Sequence, residues 1–240
     1  MKHLVADDVA RASALAASRI ADLSRDAIDA RGMFSVALTA APELEPVYRA
    51  LRARKDVDWK RWEVFFAEER AVSTESPDSA FGFVTEHLLS KVPVREAKVR
   101  PMFSLGLDVA TAAVEYIDPM VALLGDPPVF DLVLFTVGRN AEVLGLHSMC
   151  PALTSEAPVE AVADAPMAPE GDRITLTPYA LRAARELMVV AFGAKGARPL
   201  RMVLEDADDR LRVPGQVIRD AGGEVTLVVD EPLAKLLDLA

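Results

Sequence analysis

Two arginines beside predicted strands are the first side chains of this 240-residue sequence that could do chemistry. Arg70 ends the segment WEVFFAEER, and Arg173 begins the segment RITLT. A guanidinium at a strand end can bind an anion through paired N–H donors, which makes both arginines candidate ligand-binding residues. Arg70 can equally form a salt bridge with Glu68 or Glu69, and an arginine at a strand start is more commonly a structural surface residue. Both interpretations stay open.

A second group of candidate residues follows the apolar segment VFDLVLFTV, where the chain continues Gly138-Arg139-Asn140-Ala141-Glu142. The Glu142 carboxylate can act as a general base, although carboxyl groups, with an ordinary pKa of ~4.3, are weaker bases at neutral pH than imidazole. The stretch is predicted to begin a helix, and the helix dipole explains a glutamate there equally well. His147 lies about 140° around such a helix, so we do not expect it to replace Glu142.

No metal ion or organic cofactor is predicted. His3 and His87 stand alone, and no His/Cys/Asp cluster has the spacing of metal ligands. Cys150 has no basic neighbour in sequence that would activate its thiol. One lysine beside glycines, Lys195 in Gly193-Ala194-Lys195-Gly196, is a weak indication of phosphate binding, and we expect a solvated loop.

Charge and hydropathy restrict the partners and the location. The chain carries 27 basic and 37 acidic residues, a net charge of −10, which argues against nucleic acid and, more weakly, against an anionic membrane surface. The apolar run from Val129 is far shorter than the ~20 residues that span a bilayer. Asp7 and Asp8 interrupt any N-terminal signal sequence, and the one cysteine suits a reducing compartment. We therefore expect a cytoplasmic protein.

Strands and helices alternate along the chain, which predicts an α/β fold with a doubly wound, mainly parallel central sheet and helices on both faces. The segments VALTA, EVFFA and DLVLF are almost continuously apolar, so we expect them to be neighbouring inner strands. Helices are predicted from Val5 to Ala30 and in EPVYRALRAR, FGFVTEHLLSKV and DVATAAVEYIDPMVALL. The segment SEAPVEAVADAPMAPEGD is either a linker or, as we prefer, a small edge-strand region around 159–162, which predicts one domain over 1–240.

The order of these segments resembles that of the 6-phosphogluconolactonase family, whose fold includes glucosamine-6-phosphate deaminase. The resemblance covers nearly the whole chain and depends on MFSVALTAAPELEPVYRAL, DWKRWEVFFAEERAVSTESPDSAFG, VFDLVLFTVG, CPAL, RITLTPYALRAAR and LRMVLE. It implies hydrolysis of the lactone ring of 6-phosphoglucono-δ-lactone, in the pentose phosphate pathway, without a metal or organic cofactor. It also implies an anion-binding role for Arg70 and Arg173.

The resemblance places a phosphate-binding loop of Gly-Gly-Ser-Thr type after the segment MFSVALT. This chain has Ala40, Ala41, Pro42 and Glu43 there. Proline removes an amide donor, and the alanine methyl groups restrict the left-handed backbone conformations of a phosphate-binding nest. Glu43 adds a carboxylate where a phosphate would sit, so we expect no phosphate binding by this loop.

The catalytic loop departs from the family pattern as well. The family has Gly-x-Gly-x-Asp-Gly-His, in which the histidine is the general base. Here Gly138 matches, Asn140 replaces the aspartate and Glu142 occupies the position of the histidine.

Three functions remain open. The first is a catalytically degenerate member without a catalytic residue, in which Arg70, Gly138 and Arg173 bind ligand. Such a protein would be a binding, regulatory or assembly module for a protein partner or a small non-phosphorylated ligand. The alternative is an active 6-phosphogluconolactonase-type hydrolase with a divergent constellation, using Glu142 or a histidine from elsewhere as base. The third is a structural subunit of a metabolic enzyme. Simultaneous loss of loop, base and orienting acid favours the non-catalytic hypotheses.

Overall fold

A computed structural model describes residues 1–167 and 169–239 of the chain. Its strands are β1 Lys2–Ala6, β2 Phe34–Leu38, β3 Trp62–Phe66, β4 Glu68–Arg70, β5 Leu132–Phe135, β6 Val159–Ala165, β7 Gly171–Leu176, β8 Glu186–Ala191 and β9 Glu224–Asp230. Its α-helices are α1 Val9–Arg31, α2 Glu45–Arg52, α3 Ala80–His87, α4 Val109–Leu124, α5 Pro178–Ala183, α6 Ala197–Leu204 and α7 Glu231–Leu236. Short 3-10 turns connect several of them.

The larger sheet is six-stranded and parallel, in the order β1-β9-β8-β5-β2-β3, with helices around it. The predicted α/β class with a mainly parallel central sheet is confirmed. All residues of β2, β3, β5 and β8 are buried, which explains their continuous apolar sequences, since helices or loops cover both faces.

The three predicted neighbouring strands do lie side by side, in the order β5-β2-β3. Only the description of β3 as an inner strand is wrong, because β3 ends the sheet. Its outer edge is covered by the segment at Val99, which forms an isolated bridge to Val64, and the Arg100 N–H donates to the Val64 carbonyl at 2.9 Å. The edge strand therefore stays buried although it lacks a full neighbour.

The N-terminal helix begins later than predicted. Lys2–Ala6 form strand β1 beside β9, and the helix starts at Val9. Asp8 caps the helix, because its carboxylate accepts the Arg11 N–H at 2.8 Å. Gly32, with φ of 77°, ends the helix in the left-handed conformation. The helical spacing at Val5 is fortuitous, because pairing with β9 determines the conformation of residues 2–6.

A smaller antiparallel sheet, β4-β7-β6, lies beside the parallel one. The predicted edge-strand region is strand β6, at the edge of this small sheet, rather than a linker. Ala168 of the same acidic segment lies outside the described residues. Only Ala67 separates β3 from β4, so the chain passes directly from one sheet into the other.

The helix predicted to follow Gly138 is absent, since residues 139–149 form turns. Ala141, Leu144 and Met149 have φ of 60°, 54° and 60°, which a right-handed helix does not allow. Local bonds satisfy the backbone instead: the Gly138 N–H donates to the Glu142 carbonyl at 2.8 Å, and Val143 and Leu146 pair with each other. Burial of Ala141, Leu144 and their apolar neighbours fixes this compact loop.

Candidate functional site

The topology of the parallel sheet indicates where a ligand would bind. Strand β2 connects to β3 on one side, whereas the neighbouring β5 connects to β8 on the other. In open α/β sheets the crevice beside such a reversal, at the carboxyl ends of the strands, is the usual binding site. The loops that leave β2 and β5 here, residues 39–44 and 136–150, therefore form the walls of the candidate site.

The loop after β2 offers few donors. The Thr39 carbonyl accepts the Tyr48 hydroxyl at 2.6 Å, and the Ala41 carbonyl accepts the Leu44 N–H at 2.9 Å. Pro42 has no N–H, and none of the positive-φ residues described lies in 39–44. Glu43 is exposed. The loop is thus a closed turn rather than a nest of N–H groups for an anion.

The loop after β5 brings Gly138 and Glu142 together. The half-buried Glu142 carboxylate accepts the Asn140 N–H through Oε2 at 2.6 Å. A β-carbon on Gly138 would lie 2.4 Å from Glu142 Cδ and 2.5 Å from its Oε1. The carboxylate therefore folds over Gly138, and only glycine leaves room for it. In this loop a carboxylate has a fixed place, as a base requires.

The small sheet brings the two arginines together. Arg70 on β4 is directly opposite Arg173 on β7, and Glu68 is opposite Thr175, so these four side chains share one face. The Gly145 N–H donates to Thr175 Oγ1 at 3.1 Å. This face of the small sheet consequently packs against the loop that carries Gly138 and Glu142.

Each arginine has a carboxylate partner. Arg173 pairs with Glu68 and donates to the Pro169 carbonyl at 2.8 Å, and its side chain is only 7% exposed. Arg70 Nη1 lies 2.7 Å from Asp78 Oδ2, and Nη2 donates to the Glu170 carbonyl at 3.2 Å. The suggested salt bridge of Arg70 with Glu68 or Glu69 is therefore wrong: the counter-ion is Asp78.

Both arginines keep unused donors. The Nε atoms of Arg70 and Arg173 are buried and have no hydrogen-bond partner within residues 1–167 and 169–239. Buried guanidinium donors usually have partners, so each retains capacity for an oxygen of a ligand or water.

Two buried carboxyl groups adjoin the arginines. Burial raises the pKa of Glu68, against the opposing effect of Arg173. Burial likewise raises the pKa of Glu69, while the N–H groups of Phe81 and Ala80 lower it. Glu68 as the partner of Arg173 was missed in the sequence, because 105 residues separate the two side chains and only the β4–β7 register joins them.

In the loop after β8, the backbone N–H of Gly193 already has a hydrogen-bond partner. The Gly193 N–H donates to both carboxylate oxygens of Asp230, at 3.0 and 3.1 Å. Asp230 also caps α7 by accepting the Leu233 N–H at 3.2 Å. Lys195 is exposed and, in the described part of the chain, forms no ion pair. Asp230 is not predicted from the sequence, because it stands in no unusual local pattern.

Two other features, a metal site and a membrane-spanning helix, are absent from the described residues. No group of three or more His, Cys, Asp or Glu side chains there is arranged to hold a metal ion. No helix among them combines the length and the apolar character needed to cross a bilayer.

Comparison with known proteins gives a consistent family. Residues 7–227 match the family described as glucosamine-6-phosphate isomerases/6-phosphogluconolactonase. A 6-phosphogluconolactonase of Bos taurus is 32% identical over 216 residues, which cover 87% of this chain and 83% of the bovine protein. A 6-phosphogluconolactonase of Synechocystis is 28% identical over 206 residues, 84% of each chain.

Solved structures show the same fold. The 6-phosphogluconolactonase from Trypanosoma cruzi superposes with a TM-score of 0.84 at 21% identity, covering 98% of this chain and 96% of that one. A monomeric glucosamine-6-phosphate deaminase superposes with a TM-score of 0.82 at 17% identity, over 98% of this chain and 100% of that one. The resemblance inferred from the sequence is confirmed.

Proposed function

Because the chain belongs to the family of glucosamine-6-phosphate isomerases and 6-phosphogluconolactonases, we propose that it hydrolyses the ring ester of a sugar lactone. The first substrate to test is 6-phosphoglucono-δ-lactone, whose hydrolysis is a step of the pentose phosphate pathway. The relatives named 6-phosphogluconolactonases align with more than four fifths of this chain. That similarity supports a hydrolase better than a catalytically degenerate module. The observation that carries the proposal is the Glu142 carboxylate, held over Gly138 where the family has its histidine base.

The proposed reaction needs one base and one water molecule. Glu142 takes a proton from water as the water oxygen attacks the lactone carbonyl carbon. The resulting tetrahedral oxyanion collapses, the bond from the carbonyl carbon to the ring oxygen breaks, and the protonated Glu142 gives its proton to the ring oxygen, which restores the carboxylate. The product is the open-chain hydroxy acid. Arg70 and Arg173, on the adjoining face, are proposed to bind the substrate through their guanidinium groups.

His147 is a second candidate for the base. Its exclusion depended on a helix after Gly138, and the structure has turns there. The half-buried His147 ring has Nδ1 3.0 Å from the Ser148 carbonyl oxygen, which leaves Nε2 available to accept a proton. Glu142 and His147 belong to the same loop, so separate substitutions must decide between them.

A lactonase assay, corrected for spontaneous hydrolysis, tests the proposal. Glu142→Gln should lower kcat by about 100- to 10,000-fold, the usual contribution of a general base, with the fold intact. His147→Gln should have little effect if Glu142 is the base, and the larger effect if His147 is. Glu115→Gln, at an exposed position on α4, is the matched control and should keep full activity. Hydrolysis no faster than the spontaneous rate would reject an enzyme for this substrate.

The binding or assembly module remains the second candidate function. The observations that favour it are the carboxylates beside both arginines and the occupied Gly193 amide, which leave an entering phosphate few free donors. It would take a protein partner or a small non-phosphorylated ligand. Calorimetry with 6-phosphogluconate distinguishes the two functions, since micromolar binding supports the lactonase. For either function we propose the cytoplasm, supported by the single cysteine.

A further inference from the structure

A cavity of about 370 Å³ lies at the amino end of β3, opposite the candidate active site. It is lined by one carboxylate and four cationic side chains: Asp58, Lys60, Arg61, Arg95 and Lys98. Lys60 and Arg61 belong to the 3-10 turn that leads into β3, and Lys98 ends the turn before Val99. Strand β3 has five residues, about 16 Å, so the cavity is separate from the crevice at the carboxyl ends.

The positive charge of this cavity is only partly neutralised. Glu63 is shared by Lys98, at 2.6 Å, and Arg100, at 2.8 Å. Lys60, Arg61 and Arg95 form no ion pair within 4.0 Å to a carboxylate in residues 1–167 and 169–239. Asp58 accepts the Lys60 backbone N–H at 3.2 Å, which ties this carboxylate to the turn. Like charges gathered in one cavity repel one another, and a bound anion would relieve that repulsion.

The position of Arg61 is fixed before any ligand arrives. Its Nη1 donates to the Gly32 carbonyl at 3.2 Å, at the end of α1. Lys98 is held by Glu63 in the same way. Two of the four cations are therefore preorganised, which lowers the entropic cost of binding.

We propose that this cavity binds a small phosphorylated molecule with at least two negative charges. Arginine forks match phosphate oxygens, and lysines add charge without a fixed direction. The cavity volume lies within the range of small-molecule sites. An acidic macromolecule is disfavoured, because the chain carries a net charge of −10 and would repel it. A small anion stays within one Debye length, about 8 Å, of the local positive charge.

Calorimetry with inorganic pyrophosphate, glucose 6-phosphate and ADP tests the site and distinguishes a diphosphate, a sugar phosphate and a nucleotide. Arg61→Gln/Arg95→Gln should weaken the binding of the preferred anion at least 10-fold. The matched control Arg11→Gln/Arg49→Gln changes the net charge equally, at exposed helix positions, and should alter the affinity less than twofold. All four positions are exposed, and thermal unfolding verifies that both variants fold.

A third variant separates this site from the active-site crevice. Arg70→Gln should leave pyrophosphate binding unchanged, because Arg70 lies near the carboxyl end of β3. Three results would overturn the proposal: no binding at millimolar anion, unchanged affinity in Arg61→Gln/Arg95→Gln, or the same loss of affinity in Arg70→Gln as in that double variant. The experiment needs no lactonase activity, so failure of the proposed function leaves it interpretable.

Discussion

Gly138 and Glu142 act as one unit, because the carboxylate occupies the space that any other side chain at position 138 would need. The end of a glutamate side chain can move, so a methyl group at Gly138 would displace the carboxylate rather than the backbone. The hydrogen bond from the Asn140 N–H would then be lost.

Gly138→Ala should therefore lower the free energy of unfolding by only about 1 kcal/mol, the net contribution of one hydrogen bond. Lactonase activity should fall by as much as in Glu142→Gln, because the carboxylate is displaced. The measurement is a double-mutant cycle by urea unfolding with Glu142→Ala. In the Glu142→Ala background the same glycine substitution should be almost neutral. Strictly additive effects would show that the two residues do not interact.

Two buried tyrosines, Tyr48 and Tyr116, make the free energy of unfolding depend on pH in the alkaline range. Burial raises the pKa of Tyr48 and of Tyr116 far above the ordinary value of 10.0. A phenol whose pKa rises on folding stays protonated in the folded protein while the unfolded chain ionises. Its contribution to stability is complete below pH 10 and is lost as the pH rises further.

We expect the free energy of unfolding to fall above pH 10 by about 1.4 kcal/mol per pH unit for each of these tyrosines. Tyr116→Phe should remove the share of this slope that belongs to Tyr116. Urea titrations at pH 8, 10 and 11 measure it, and the pH 8 value gives the separate cost of losing the hydrogen bond from the Phe66 N–H. An unchanged alkaline slope in Tyr116→Phe would contradict the assignment.

At the scale of elements, one glutamate joins the small sheet to α3. The Glu69 carboxylate accepts the N–H groups of Ala80 and Phe81, at 2.7 and 2.8 Å, in the first turn of the helix. It also accepts the Arg70 N–H at 2.8 Å and the Ser79 hydroxyl at 3.2 Å. Strand β4 and the start of α3 are thus held by the same two oxygens.

Glu69→Gln should destabilise the protein by about 2 kcal/mol, because an amide nitrogen would face N–H donors that it cannot accept. Glu75→Gln, at an exposed position in the same connection, should change stability by less than about 0.5 kcal/mol. Urea unfolding at pH 7 compares the two variants with the parent. Equal stability of all three proteins would mean that Glu69 does not hold the helix start.

At the scale of the whole molecule, the two sheets are joined by the chain itself and by packing, so we expect them to unfold together. The chain crosses from β3 to β4 through Ala67, whose carbonyl accepts the Leu176 N–H from the end of β7 at 2.9 Å. Helix α4 packs on β6 and β7, and its Tyr116 hydroxyl accepts the Phe66 N–H of β3. One domain over 1–240 remains our prediction.

We expect one cooperative unfolding transition. Fluorescence of Trp59, just before β3, and of Trp62, the first residue of β3, should report the same free energy of unfolding as hydrogen exchange of the β7 amides. Exchange of the β7 amides by a separate, lower-energy opening would instead show that the small sheet is an independent unit.

Strands that are buried along their whole length can be predicted from the order of residue types. Continuous apolar runs predict β2, β3 and β5, because a strand covered on both faces has no polar alternation. The substitutions at Pro42, Asn140 and Glu142 were likewise visible from sequence, since they depend on residue type and order alone.

Other features depend on contacts between segments that are distant in sequence. Lys2–Ala6 became a strand because β9 supplies its hydrogen bonds. Residues 139–149 form turns in which the side chains of Ala141, Val143, Leu144 and Leu146 are buried, and that burial depends on tertiary packing. Asp78 reaches Arg70 because the chain turns between them, and Glu68 reaches Arg173 because of the β4–β7 register. Interactions between residues distant in sequence have no local pattern, so charge partners, unlike strands, cannot be deduced from a single sequence.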